Sequence, residues 1–199
     1  MSSVPPGGLI LITGANDYIV SVAVQVFIKR GYRVRGTVRS ITVPDISTPG
    51  AFDEALQGVD GVAHMTMNMD MNPQNQGAIE DTINSNLCVR SSTTGEPYKI
   101  DATTWNTDAI DKTTEPWDGQ GDPRWHGIVL YGAAKARSEQ AAFAWVREHK
   151  PSFSFNTIVP NINFGIAISP ENMSYRSSAA VIDAVVKGYP DAPSILPSQ

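Results

Sequence analysis

The chain has 199 residues, 41% of them hydrophobic and 18% charged, with a net charge of -5, which is enough for one sizeable core and a single globular domain. Its 15 basic residues are spread without a stripe or a polybasic run, arguing against nucleic-acid and membrane partners and for a small molecule. The lone Cys88 excludes an intramolecular disulfide and a thiolate metal cluster, as expected of a reducing compartment. The N-terminus, MSSVPPGG, has no basic region, and the apolar run behind it is too short for a signal sequence or a membrane span, so a cytoplasmic location is expected.

In chain order, residues 9–13, LILIT, read as a central strand apolar on both faces. The strand ends in Thr13-Gly14 and opens a helical pattern over 18–29, as a strand does when it feeds a phosphate-binding turn. Where such a turn carries its middle glycine, this chain has Asp17, and Val20 stands in the place of the third. A Cβ there crowds a phosphate. A carboxylate at a helix N-terminus is also expected to cap the N–H groups that a pyrophosphate needs. Gly31 ends the helix, and residues 32–38, YRVRGTV, alternate as a second strand.

A crossover helix should follow, because neighbouring parallel strands need a dozen or more residues to return to the same edge. Instead Arg39-Ser40 runs straight into 41–46, ITVPDI, a strand-like segment that no connection so short can join in parallel. Residues 49–58 then predict a short helix and 59–65 a strand. The Met- and Asn-rich stretch 66–76 suits a strand end, a pocket rim or a flexible loop, and it lacks the His and Cys that a metal site needs. A brief helix at 78–86 and a strand at 87–91 lead to Ser91-Ser92. A short helix is expected near 104–110, then a Pro-, Gly- and Trp-rich loop over 115–127, a long helix at 131–150, a strand at 153–159 closed by Pro160, and a helix at 174–187. Alternating strands and helices of this kind predict an α/β, doubly wound parallel sheet.

Two features carry chemistry. Tyr131 and Lys135 lie four residues apart on a predicted helix, hence on one face and one turn apart. An ammonium beside a phenol favours the phenolate, which suits Tyr131 to exchange a proton with a carbonyl or hydroxyl. Ser91-Ser92 ends a predicted strand, where α/β sheets place their ligands, and a hydroxyl there can hydrogen-bond the same oxygen. His64, within a strand, reads as a hydrogen-bonded core residue rather than a catalyst.

With the turn, the strand-end serine and the Tyr-x-x-x-Lys helix in this order, the chain resembles the extended short-chain dehydrogenase/reductases. The likeness is to fungal relatives of dihydroflavonol 4-reductase and of NADPH-dependent aldehyde or ketone reductases. It rests on LILITGANDYI at 9–19, RGYRVRGTVRS at 30–40, PDI at 44–46, GAFDEALQGVDGVAH at 50–64, YGAAKARSEQAA at 131–142 and NTIVPNINFG at 156–165.

The resemblance implies a Rossmann-like domain over 1–188, partial because it lacks the crossover helix and most of the C-terminal substrate lobe, with a Pro-rich tail at 189–199. It implies Tyr131 as proton donor, Lys135 as the group that lowers its pKa and binds the nicotinamide ribose, and Ser92, or Ser91, as the carbonyl's orienting group. Arg39 would pair with the 2′-phosphate of NADP. No acidic residue ends the second strand to bind a free ribose diol, which favours NADP over NAD. Asp45 and Ile46 would flank the adenine, Gly14, Tyr18 and Ile19 would lie along the pyrophosphate, and Pro160 would border the nicotinamide. The implied activity is NADP(H)-dependent reduction of a small ketone or aldehyde within secondary metabolism, with a pocket that is shallow or completed by another chain, and a homodimer as the expected assembly. The alternative, drawn from Asp17, is a non-redox isomerase or cyclase, or an inert relative that has lost the cofactor.

Overall fold

A computed structural model describes residues 4–38, 48–65, 104–121, 123–160, 163, 165–168 and 186–188. They fall into two compact units, one drawn from 2–66 and 162–199 and the other from 67–161. Among the described residues, no helix is long and apolar enough to cross a membrane.

The first unit is a parallel three-stranded sheet with helices between its strands: β1 (Leu9–Thr13), α1 (Tyr18–Lys29), β2 (Arg33–Thr37), α2 (Asp53–Leu56) and β3 (Gly61–Ala63). The strand order is β2-β1-β3, with Leu9 opposite Arg33 and Ile10 opposite Gly61. β1 is central, and Ile10, Leu11 and Ile12 are all buried, so its unbroken apolar run is explained by burial on both faces. Ile10 and Ile12 join Val20 in a core that Val24, Phe27, Tyr32 and Val34 complete. The apolar side of α1 therefore covers one face of the sheet. This is the α/β architecture of a Rossmann-like fold.

The predicted α1 coincides with the observed helix. Gly31 follows its C-cap at φ +83°, a left-handed conformation that ends the helix without a Cβ clash. The other elements of this unit are shorter than expected, since β2, α2 and β3 are trimmed at both ends. α2 is one turn long and draws support from outside itself. Arg35 on β2 donates to the carbonyls of Ala55 and Gln57, both at 2.7 Å, satisfying acceptors that a short helix leaves open. The segment 41–46, with its unusually short connection, lies outside the described residues, as do the expected elements at 78–86 and 87–91 and nearly all of the expected helix at 174–187.

The second unit is built on α3 (Thr107–Lys112) and α4 (Pro123–His149). Asn106 caps α3 by accepting from Ala109 N at 3.1 Å. Ala109, Val129 and Ala133 then form the contact between the two helices. Gly132 makes that approach close: a Cβ there would meet Asn106 Nδ2 at 3.2 Å and Ala109 Cβ at 3.6 Å. α4 corrects one expectation. It begins at Pro123, so the last part of the predicted loop 115–127, from residue 123 on, is helical. Proline is tolerated in a first helical turn because its missing N–H would have had no partner there.

The strand expected at 153–159 does not form, for no strand is present among the described residues of this unit. Phe155 and Thr157 turn towards α4, while Phe153 and Ile158 are exposed, the latter to 85%. The alternation is real. Among the described residues, what it matches is a helix surface, on which the side chains of Phe155 and Thr157 seat.

Candidate functional site

In the first unit the sheet brings Thr13 and Gly14 to the carboxyl end of β1. β2 lies on one side and β3 on the other, so the chain switches direction there and leaves the crevice in which open α/β sheets take ligands. Gly14 is buried with φ +69°, a conformation that disfavours any side chain. The next residue, Ala15, is tied to β2 by a 2.9 Å bond from its N–H to the Thr37 carbonyl. This closeness depends on Gly36, where a Cβ would stand 2.6 Å from Ala15 Cβ. A glycine inside a predicted strand was the available signal for that role, since strands carry glycine where another backbone comes close.

Below the turn, Thr13 Oγ1 accepts from Met65 N at 2.8 Å and lies 3.1 Å from His64 Nδ1. His64 is thus hydrogen-bonded as expected, but it lies just past β3 and is half-buried rather than part of the core.

Asp17 takes the N-cap position of α1, in extended conformation, but its side chain makes no capping hydrogen bond. This corrects the expectation that its carboxylate would occupy the first-turn N–H groups. The side chain is exposed instead. Tyr18 is buried, and its hydroxyl donates to the Gly165 carbonyl at 2.7 Å, whereas Ile19 is 45% exposed. The turn fits a dinucleotide's pyrophosphate on two grounds: the backbone conformation at Gly14, and helix-end donors that Asp17 does not cap.

In the second unit, Tyr131 and Lys135 share one face of α4, with Lys135 Nζ 5.4 Å from the centre of the Tyr131 ring, within range of a cation–π contact. Small neighbours make this possible. Gly132, Ala133, Ala134 and Ala136 are buried, so the helix packs tightly around the pair. Lys135 is only 6% exposed, and burial draws its ammonium down to a pKa of about 7. Burial also raises the Tyr131 phenol above its ordinary value. The sequence pattern suggested a phenol lowered by its lysine. Here desolvation acts on both groups and disfavours both charges, so Tyr131 stands protonated at neutral pH and can donate.

Pro160 closes the described segment and is exposed. Arg39, Asp45, Ile46, Ser91 and Ser92 lie outside the described residues. Among those described, no group of three or more His, Cys, Asp or Glu could hold a metal ion.

No family model matches the chain. Over 98% of its length it is 28% identical to aldehyde reductase 2 of Sporidiobolus salmonicolor, covering 69% of that protein. It is also 28% identical, over 92% of its length, to an NAD-dependent epimerase/dehydratase of Aspergillus terreus, covering 65% of it, and 29% identical, over 84%, to a ketoreductase of Penicillium roqueforti, covering 60%. The chain therefore spans between 60% and 69% of the length of these curated relatives.

Proposed function

From this kinship with the extended short-chain dehydrogenase/reductases, we propose that the chain is an NADP(H)-dependent reductase of a small ketone or aldehyde. The observation that carries the reading is the buried Tyr131–Lys135 pair on α4, a protonated phenol beside an amine whose pKa lies near 7. The names of the relatives support carbonyl reduction and a nicotinamide cofactor.

NADPH, when bound, supplies a hydride to the carbonyl carbon. Tyr131 donates its phenolic proton to the carbonyl oxygen. Lys135, in its protonated form, stabilises the phenolate left behind, because an adjacent positive charge lowers the cost of that anion. Ser92 orients the carbonyl. Gly14, Tyr18 and Ile19 would hold the pyrophosphate, Arg39 the 2′-phosphate, Asp45 and Ile46 the adenine, and Pro160 would border the nicotinamide. This reading places the reaction in the cytoplasm and in secondary metabolism, with a homodimer as the assembly.

The competing reading draws on Asp17. A carboxylate at the phosphate turn suits a non-redox isomerase or cyclase using Tyr131 as an acid, or an inert binding protein. A fluorescence titration separates them. Micromolar NADPH binding, tighter than that of NADH, supports the reductase, and no binding at millimolar NADPH rules it out.

A further inference from the structure

Glu139 continues the Tyr131–Lys135 face of α4 by one more turn. It is only 1% exposed. Its Oε1 accepts a hydrogen bond from Thr157 Oγ1, while its Oε2 is buried with no hydrogen-bond partner. One turn further along the helix, Phe143 meets Phe155 edge to face, with ring centroids 5.1 Å apart. Residues 139 and 143 share a helix face, and 155 and 157 share one side of an extended segment. The two contacts are therefore consecutive rungs that fasten residues 155–157 to α4.

The polar rung is the unusual one. A buried carboxylate with one oxygen unsatisfied is costly, and an apolar pair of similar shape would hold the segment at lower cost. An apolar contact is non-directional, however, and lets a segment slide. A hydrogen bond from a β-branched side chain, stiff about χ1, fixes position along the helix. No backbone ladder does so among the described residues of this unit.

Resting on the reductase reading, in which Pro160 borders the nicotinamide, we propose that Glu139 is a positioning residue. Through the Thr157 hydroxyl it fixes the segment leading to Pro160 along the helix that carries Tyr131, and so sets where the nicotinamide stands relative to the proton donor. Glu139 touches neither cofactor nor substrate. Its effect passes through Thr157 and the two residues between Thr157 and Pro160.

Two measurements on the full chain test this. In the cofactor-free protein, Thr157→Val should speed chymotryptic cleavage after Phe155 by about tenfold or more, while α4 is cut no faster. With NADPH added, the same variant should bind with affinity within about threefold of wild type, because one rung is not the cofactor's anchor. Its bound nicotinamide should nevertheless show a fluorescence lifetime shortened towards that of free NADPH. A lifetime does not depend on how much protein is folded, so a merely structural role would leave it unchanged. Thr157→Ser, which keeps the hydroxyl, should restore both readouts, and Glu139→Ala should reproduce the loss if Thr157→Val folds poorly. Unchanged cleavage after Phe155, or an unchanged lifetime in both Thr157→Val and Glu139→Ala, overturns the proposal. A wild-type chain that binds no NADPH overturns the reductase reading and this proposal together, an outcome distinct from one in which wild type binds and the variants match it.

Discussion

The turn between β1 and α1 and the Tyr131–Lys135 face of α4 treat charge in opposite ways. The turn leaves its carboxylate, Asp17, exposed beside a helix end that it does not cap. The helix face buries its ammonium and takes the pKa of Lys135 to about 7. A charge left in water perturbs its surroundings by a modest, screened amount, whereas a buried one changes its own protonation and that of its neighbours. The conspicuous departure in the sequence is thus the milder electrostatic event, and the ordinary-looking Tyr-x-x-x-Lys spacing holds the stronger one.

Four substitutions test this contrast. The largest effect is expected on the helix face. Tyr131→Phe removes the proton donor and should lower the rate of carbonyl reduction by about 10²- to 10⁴-fold, the usual worth of a positioned acid, with NADPH affinity little changed in a fluorescence titration. Turnover near wild type would place the acid elsewhere.

Lys135→Met comes next and should act in two directions. It should abolish reduction, yet stabilise the fold by about 1–3 kcal/mol at pH 7, because a buried ammonium is costly and a linear apolar chain of similar length is not. The pH dependence gives a second check. Lys135 titrates at about 7 when folded and near the ordinary lysine value of 10.5 when unfolded, so between these values the unfolded chain binds more protons. This group's contribution therefore makes stability rise with pH across that window and level off below it. Denaturant melts over the same range should show the slope in wild type and lose it in Lys135→Met. A slope that survives the substitution would belong to another group.

In the turn, Gly36→Ala would set a methyl 2.6 Å from Ala15 Cβ. Overpacking of this kind costs about 1–3 kcal/mol, and it should weaken cofactor binding beyond the fall in melting temperature, since Ala15 follows Gly14. The smallest effect is expected at Asp17. Asp17→Gly removes an anion from a helix N-terminus and should tighten NADPH binding by about 1 kcal/mol. The helix end itself loses no capping bond, and glycine is tolerated at an N-cap. An unchanged affinity would put any weakness of the cofactor site in the segment around Arg39 instead.

Much of the first unit was legible from residue order. The apolar run at 9–13, the period of 18–29 and the glycine at 31 mark β1, α1 and the end of α1, because local patterns and a left-handed C-terminal glycine leave few alternatives. Residues 153–159 show where that reading stops. Their alternation is what a strand requires, but alternation specifies only that one side is buried, and here Phe143 and Glu139 on a helix form the covering surface. The start of α4 at Pro123 escaped notice for a related reason: proline and glycine mark loops on average, yet a first turn accepts proline.

By itself the sequence determined the α/β class, the likeness to curated reductases and epimerase/dehydratases, and the presence of a tyrosine and a lysine on one helix face, since each depends on order and spacing along the chain. Only the tertiary structure decided that Asp17 leaves its helix end uncapped, that Gly36 admits the turn, that burial holds Tyr131 protonated and brings Lys135 near neutrality, and that Glu139 grips Thr157. The reason is common to all four. Proton affinity, close approach and hydrogen-bond partners depend on what surrounds a group in space, and spacing in sequence does not specify those surroundings.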